Sequence, residues 1–112
     1  MPKRILSVSY DESLLATRQM ILERAGFEVV SALGFSEALE RCKKSNFDLV
    51  LLGHTIPIKD KASLIPSLKQ HCTRVLSIRR PGFPPAPGAD FSVDSQEGPE
   101  ALIAAVKSAL AT

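Results

Sequence analysis

The sequence predicts a doubly wound α/β domain built on a parallel sheet, and three observations carry that prediction. Short apolar segments alternate along the chain with segments whose apolar residues recur at helical spacing. One short segment, Phe47 to Leu52, ends in four uninterrupted apolar residues, the pattern of a strand buried on both faces, usual where helices sandwich a parallel sheet. The length of 112 residues, 45% of them apolar, suits one domain over residues 1–112 with one core and no separate catalytic or DNA-binding module.

Ile5 to Val8 reads as the first strand. Asp11 or Ser13 offers an N-cap, and Leu14, Arg18, Ile21, Leu22 and Ala25 follow at helical spacing until Gly26 stops the helix. Val29 to Ala32 is the second strand, and Ser36 caps a second helix whose Ala38, Leu39 and Cys42 share a face. After the third strand, Phe47 to Leu52, the next helix is less regular. A cap at Asp60 would leave Pro66 in the helix interior at a cost of about 3 kcal/mol. A start at Ser63 puts Pro66 in the first turn instead, so residues 58–63 are expected to be irregular. Val75 to Ile78 and Asp90 to Val93 supply strands four and five. The last helix opens with Pro99 and buries Leu102, Ile103, Val106 and Leu110.

Composition excludes several classes of function. The longest apolar run, Leu49 to Leu52, is far short of a membrane span, and MPKRILSVSY lacks a signal-peptide pattern, so a cytoplasmic location is expected. The net charge of +2 comes from interspersed signs, with one Tyr and no Trp, which gives no footprint for nucleic acid. Cys42 and Cys72 form no CxxC pair, so thiols rather than a disulfide framework are expected. No internal repeat is present. The one biased segment is RRPGFPPAPG, residues 79–88, with four prolines in ten positions.

The order of elements, together with ILERAGFEVVSALGFSEALE, FDLVLLGHTIP and GADF, resembles the receiver domain of bacterial response regulators along nearly the whole chain. The resemblance implies a flavodoxin-like five-stranded sheet of order 2-1-3-4-5. In that family the loop after strand one carries adjacent acids that hold Mg²⁺, because a hard cation needs carboxylate oxygens. Here the matching residues are Ser9 and Tyr10. Strand three should end in the aspartate that attacks the phosphoryl group, yet DLVLLG places Gly53 there. The hydroxyl expected after strand four is replaced by Arg79, and the lysine expected after strand five by Ser95. All five functional positions differ, whereas Pro57, Asp60 and Gly88-Ala89-Asp90 match the family's scaffold. The family's fourth helix has no room, since only residues 80–87 separate Arg79 from Gly88. Eleven extended residues reach roughly 35 Å, enough to cross to a neighbouring strand without a helix.

Plainer roles suit several other residues. Asp11 and Glu12 suit a helix start better than a shifted metal pair. His54 lacks an evident base or metal beside it and reads as loop filler. His54, His71, Cys42 and Cys72 match no recurrent zinc spacing, so no metal is expected. Arg79 and Arg80 reach the carboxyl end of strand four where acids have vanished. They give, with Gly53, a candidate anion site, set against solvent exposure or a salt bridge from Arg79 to Asp11.

The expected function is that of a non-enzymatic, non-phosphorylatable receiver-like domain without cofactor. It would act by contact with a signalling protein or a second copy, away from membrane and nucleic acid. The alternative is a module that binds a small anion in the remodelled pocket lined by Ser9, Gly53, Arg79 and Ser95. Loss of the fourth helix is expected to uncover apolar side chains of strands four and five, to be covered either by the loop itself with Phe83 folded inward or by another chain, which makes Ile78, Phe83 and Phe91 candidate interface residues.

Overall fold

The computed structural model of the chain describes residues 2–71 and 74–111, so Cys72 lies outside the described residues. Five strands, β1 (Arg4–Ser9), β2 (Glu28–Leu33), β3 (Leu49–Leu52), β4 (Val75–Arg79) and β5 (Phe91–Asp94), alternate with α1 (Glu12–Arg24), α2 (Phe35–Lys44), α3 (Ile58–Lys69) and α4 (Pro99–Ala111). All pairings are parallel and the order is β2-β1-β3-β4-β5, as the resemblance implied. Central β1 pairs on both sides, Ile5 lying opposite Val29 and Leu49.

Alternation along the strands sends side chains to two cores. Leu6, Val8, Val50, Leu52 and Val75 meet α2 and α3 through Ala38, Cys42, Leu64, Ile65 and Leu68. Ile5, Leu49, Leu51, Leu76, Ile78 and Val93 meet α1 and α4 through Leu22, Leu102, Val106 and Ala109. The first helix starts as expected: the Asp11 carboxylate accepts from the Leu14 amide at 3.1 Å, and Gly26, at φ 99°, follows its end.

Two helix starts differ from expectation. Helix α2 begins at Phe35 behind Gly34, whose φ of 93° makes the turn, so Ser36 lies inside the helix rather than capping it. Helix α3 begins at Ile58, not Ser63, and carries Pro66 in its interior. The reason is tertiary contact. The added turns carry Asp60, which accepts from the Tyr10 phenol, and Lys61, which donates to Ser77 and Ile78; hydrogen bonds to charged groups are worth about 1.5–3 kcal/mol each and together offset the roughly 3 kcal/mol cost of an interior proline.

No helix stands between β4 and β5; the chain crosses there as the Pro-rich loop. Ala86 plugs into the core beside α3, and Gly88 lies so close to Ile65 that an added Cβ would sit 3.2 Å from its Cγ2. The crossing is fastened at its far end by Asp90, whose carboxylate accepts from the Val75 amide at 2.9 Å and pairs with the Lys69 ammonium at 2.6 Å.

This arrangement corrects the expectation of an uncovered apolar sheet. Ile78 is only 3% exposed and, with Leu76 and Val93, faces α1 and α4; Phe91 packs half-buried on that side too. Toward the missing helix β4 presents Val75, in the same core as Ala86, and then Ser77. Beyond Ser77, Arg79 Nε donates to Ser92 Oγ at 3.1 Å. The face that lost its helix is therefore polar where it is open. Of the three candidate interface residues only Phe83, at 58% exposure, stands free on the surface.

Candidate functional site

The carboxyl ends of β1 and β3 bring Ser9, Tyr10 and Gly53 together, with none of the oxygens a cation needs. Ser9 is fully buried, and its hydroxyl is engaged by Thr55 Oγ1 at 3.1 Å and by the Asp11 amide at 3.0 Å. The Tyr10 amide donates to the same Thr55 oxygen at 3.2 Å, and its phenol donates to Asp60 Oδ2 at 2.9 Å. Burial, then the bond to Asp60, pushes the Tyr10 hydroxyl up to about 12. Asp60 thus holds the β1–α1 turn against α3.

At Gly53 the pocket is filled by a cation that sequence reasoning placed merely on a helix face. Arg18 of α1 is 7% exposed, and a Cβ built on Gly53 would lie 2.6 Å from its Nη1. A side chain at position 53 would require the end of the Arg18 side chain to move aside. Arg18 Nη2 donates to His54 Nδ1 at 3.0 Å; since a guanidinium has no acceptor, His54 must carry its proton on Nε2. Burial holds His54 below its ordinary pKa, reinforced by Arg18, Arg80 and Lys61. Arg18 itself is lowered by burial, with Asp11 pulling the other way, and its Nη1 is buried with no hydrogen-bond partner among the described residues.

A second buried cation lies one strand over. Lys61 of α3 is 3% exposed and donates to Ser77 Oγ at 2.9 Å and to the Ile78 carbonyl at 2.8 Å. Burial, followed by repulsion from Arg18, holds its ammonium down at about 8. Sequence reasoning missed both cations, yet each carried a signal. Arg18 follows Leu15 by three residues and precedes Leu22 by four, and Lys61 stands three, four and seven residues before Leu64, Ile65 and Leu68. Each is a charge inside an apolar stripe.

Of the candidate anion residues, Arg79 and Arg80 line one cavity between the start of α3 and the Pro-rich loop, and Gly53 does not join them. Arg79 turns to Ser92, not Asp11, and Arg80 Nε approaches the His54 carbonyl at 3.4 Å, while Arg18 occupies the space at Gly53. Ser95 lies apart, lining a cavity of about 170 Å³ with Arg18 and His54. Mg²⁺, which the fold family implies, does not fit here: no carboxylate stands at Ser9, Tyr10 or Gly53, and a buried guanidinium fills the place. Among the described residues no group of three or more His, Cys, Asp or Glu side chains gathers as a metal site, and no helix is long and apolar enough to cross a membrane.

The fold matches solved receiver domains over its full extent. A putative response regulator from Chloroflexus aurantiacus superposes with a TM-score of 0.86 and 25% identity, covering 100% of both chains. Chemotaxis protein CheY4 of Vibrio cholerae does so with a TM-score of 0.85 and 21% identity, over 97% of this chain and 99% of that one. In sequence, the transcriptional regulatory protein PhoP of Bacillus subtilis is 34% identical over 70 residues, 62% of this chain and 29% of PhoP. The chain spans less than a third of the length of the curated relatives it matches, and no family model matches it. Topology and likeness together give the chain the fold of response-regulator receiver domains, the proteins to which it is similar.

Proposed function

We propose that this receiver domain signals without aspartyl phosphorylation, by contact with a protein partner or a second copy. The observation that carries the reading is the exchange at position 53. Where the fold calls for a nucleophilic carboxylate there is Gly53, and the guanidinium of Arg18 lies in the space that a side chain would take. Phosphoryl transfer to a carboxylate needs the nucleophile and a cation to neutralise the developing charge. A guanidinium supplies charge but no nucleophile, and Ser9, held between Thr55 and Asp11, is not placed to replace it. With the family's fourth helix absent, the contact surface is assigned to the loop over residues 80–88, where Phe83 is exposed.

Incubation with acetyl phosphate, or with beryllofluoride and Mg²⁺, followed by intact mass and amide NMR, tests the first half. No phosphoryl gain and no Mg²⁺-dependent shift around Gly53 is expected, and a phosphorylated species at any residue overturns it. For the second half, Phe83→Asp should weaken association with the partner or second copy. Hydrogen-exchange protection confined to α1 and α2 in the bound state would place the contact elsewhere.

A further inference from the structure

Where the missing helix would lie, the chain encloses a cavity of about 380 Å³ between the start of α3 and the Pro-rich loop. Its lining combines two chemistries, the basic and polar His54, Lys61, Arg79 and Arg80 and the apolar Ile56, Ile58, Phe83 and Pro84. No carboxylate lines it, and none of the three lysine and arginine side chains forms an ion pair among the described residues. Lys61 spends two of its three N–H donors on Ser77 and Ile78, leaving one for an incoming acceptor. Ile58 and Phe83, at 50% and 58% exposure, are two of the four large apolar side chains exposed among the described residues, and both flank this cavity.

From this geometry we infer that the cavity binds a small organic anion, a carboxylate head on an aromatic or short aliphatic body. The head would sit against Lys61 and Arg80 and the body against Ile58, Phe83 and Pro84. The volume lies in the range of small-molecule sites, roughly 300–1,000 Å³, and is too small to seat a helix. The uncompensated positive charge selects an anion, since a buried ammonium without a carboxylate beside it gains more from a carboxylate than from a neutral group. The apolar wall selects an organic anion over phosphate or sulfate. On the reading that this domain signals without phosphorylation, such a ligand supplies the input that a phosphoryl group supplies elsewhere. It would act through Lys61, which ties α3 to β4 at Ser77 and Ile78.

The test is an amide NMR titration of the full chain with 2-naphthoate, the neutral isostere 2-naphthalenemethanol and inorganic phosphate. 2-Naphthoate should shift amides within residues 54–61 and 79–86, and both other probes should bind about tenfold or more weakly. Arg80→Glu, an exposed change, should weaken 2-naphthoate about tenfold, and Phe83→Ala should weaken it also, each with unchanged unfolding temperature. Saturable shifts elsewhere, equal binding of the neutral isostere, phosphate binding as tightly as naphthoate, or no binding at millimolar probe would each overturn the inference. None of these outcomes bears on phosphoryl uptake, which mass measurement decides separately.

Discussion

Raising the pH should stabilise this domain over a range where folded proteins generally pass their optimum, and Lys61 is the reason. Folding takes its ammonium out of water with no carboxylate beside it, and burial, then the Arg18 charge, holds it at about 8 against an ordinary 10.5. Between those two values the unfolded chain binds the proton more readily than the folded one, so stability must rise with pH there. At about 1.4 kcal/mol per unit, the gap amounts to about 3 kcal/mol, gained between pH 8 and pH 10.5. Tyr10 acts later and in the opposite sense. Its hydroxyl, raised from 10.0 to about 12, keeps its proton longer in the folded chain, so its contribution is lost as pH climbs through that window. Stability should therefore peak near pH 10. Urea unfolding followed by circular dichroism, at intervals from about pH 7 to about pH 10, reads the change as a rising midpoint. Lys61→Met should flatten that rise. A midpoint that stays level or falls in the parent chain, or rises as far in Lys61→Met, would refute the reasoning.

Other changes probe the remaining features. Gly53→Asp should gain no phosphoryl group from acetyl phosphate by intact mass, because the new carboxylate lies against Arg18 and finds no acid at Ser9 or Tyr10 to help hold Mg²⁺. Arg18→Met should leave urea stability unchanged or raise it by about 1 kcal/mol, since it removes a buried charge whose Nη1 has no hydrogen-bond partner; a loss above about 2 kcal/mol would show that the His54 contact matters more. Asp90→Ala should cost about 1–2 kcal/mol in urea unfolding, through the Val75 amide and Lys69. In the parent chain burial pushes the Asp90 carboxyl up, but the Lys69 and Val75 bonds outweigh it and hold it below 3.8. That contribution is present above 3.8 and lost as pH falls through the folded value, so the parent should lose its advantage over Asp90→Ala in acid.

The fold was legible because its signals are local. The strand before Gly53, the Asp11 cap and the turn at Gly26 each depend on a few neighbouring residues, and all stand where the pattern put them. Where reasoning failed, distant packing decided. Pro66 argued for a late start to α3, yet the contacts of Asp60 with Tyr10 and of Lys61 with β4 set its start at Ile58. The same limit applies to the site. That Ser9, Tyr10 and Gly53 meet could be read from a resemblance, but that Arg18 fills the gap depends on α1 and the end of β3 approaching each other, with Arg18 and Gly53 35 positions apart in the chain. Ile78 misled because strand alternation alone does not say which face keeps its helix.

The polar sheet face beside the Pro-rich loop carries a consequence for timing. Ser77 is buried against Lys61, and Arg79 bonds to Ser92, so this edge presents no apolar strand face that needs a permanent cover. An apolar face of the same area would commit the domain to an obligate neighbour, with slow release. A wetted, positively charged edge instead favours quick encounter with an acidic surface and quick departure, both slowed or weakened by salt. Losing a helix, when the strands beneath it are rewritten in serine and arginine, leaves a surface suited to brief and repeated visits.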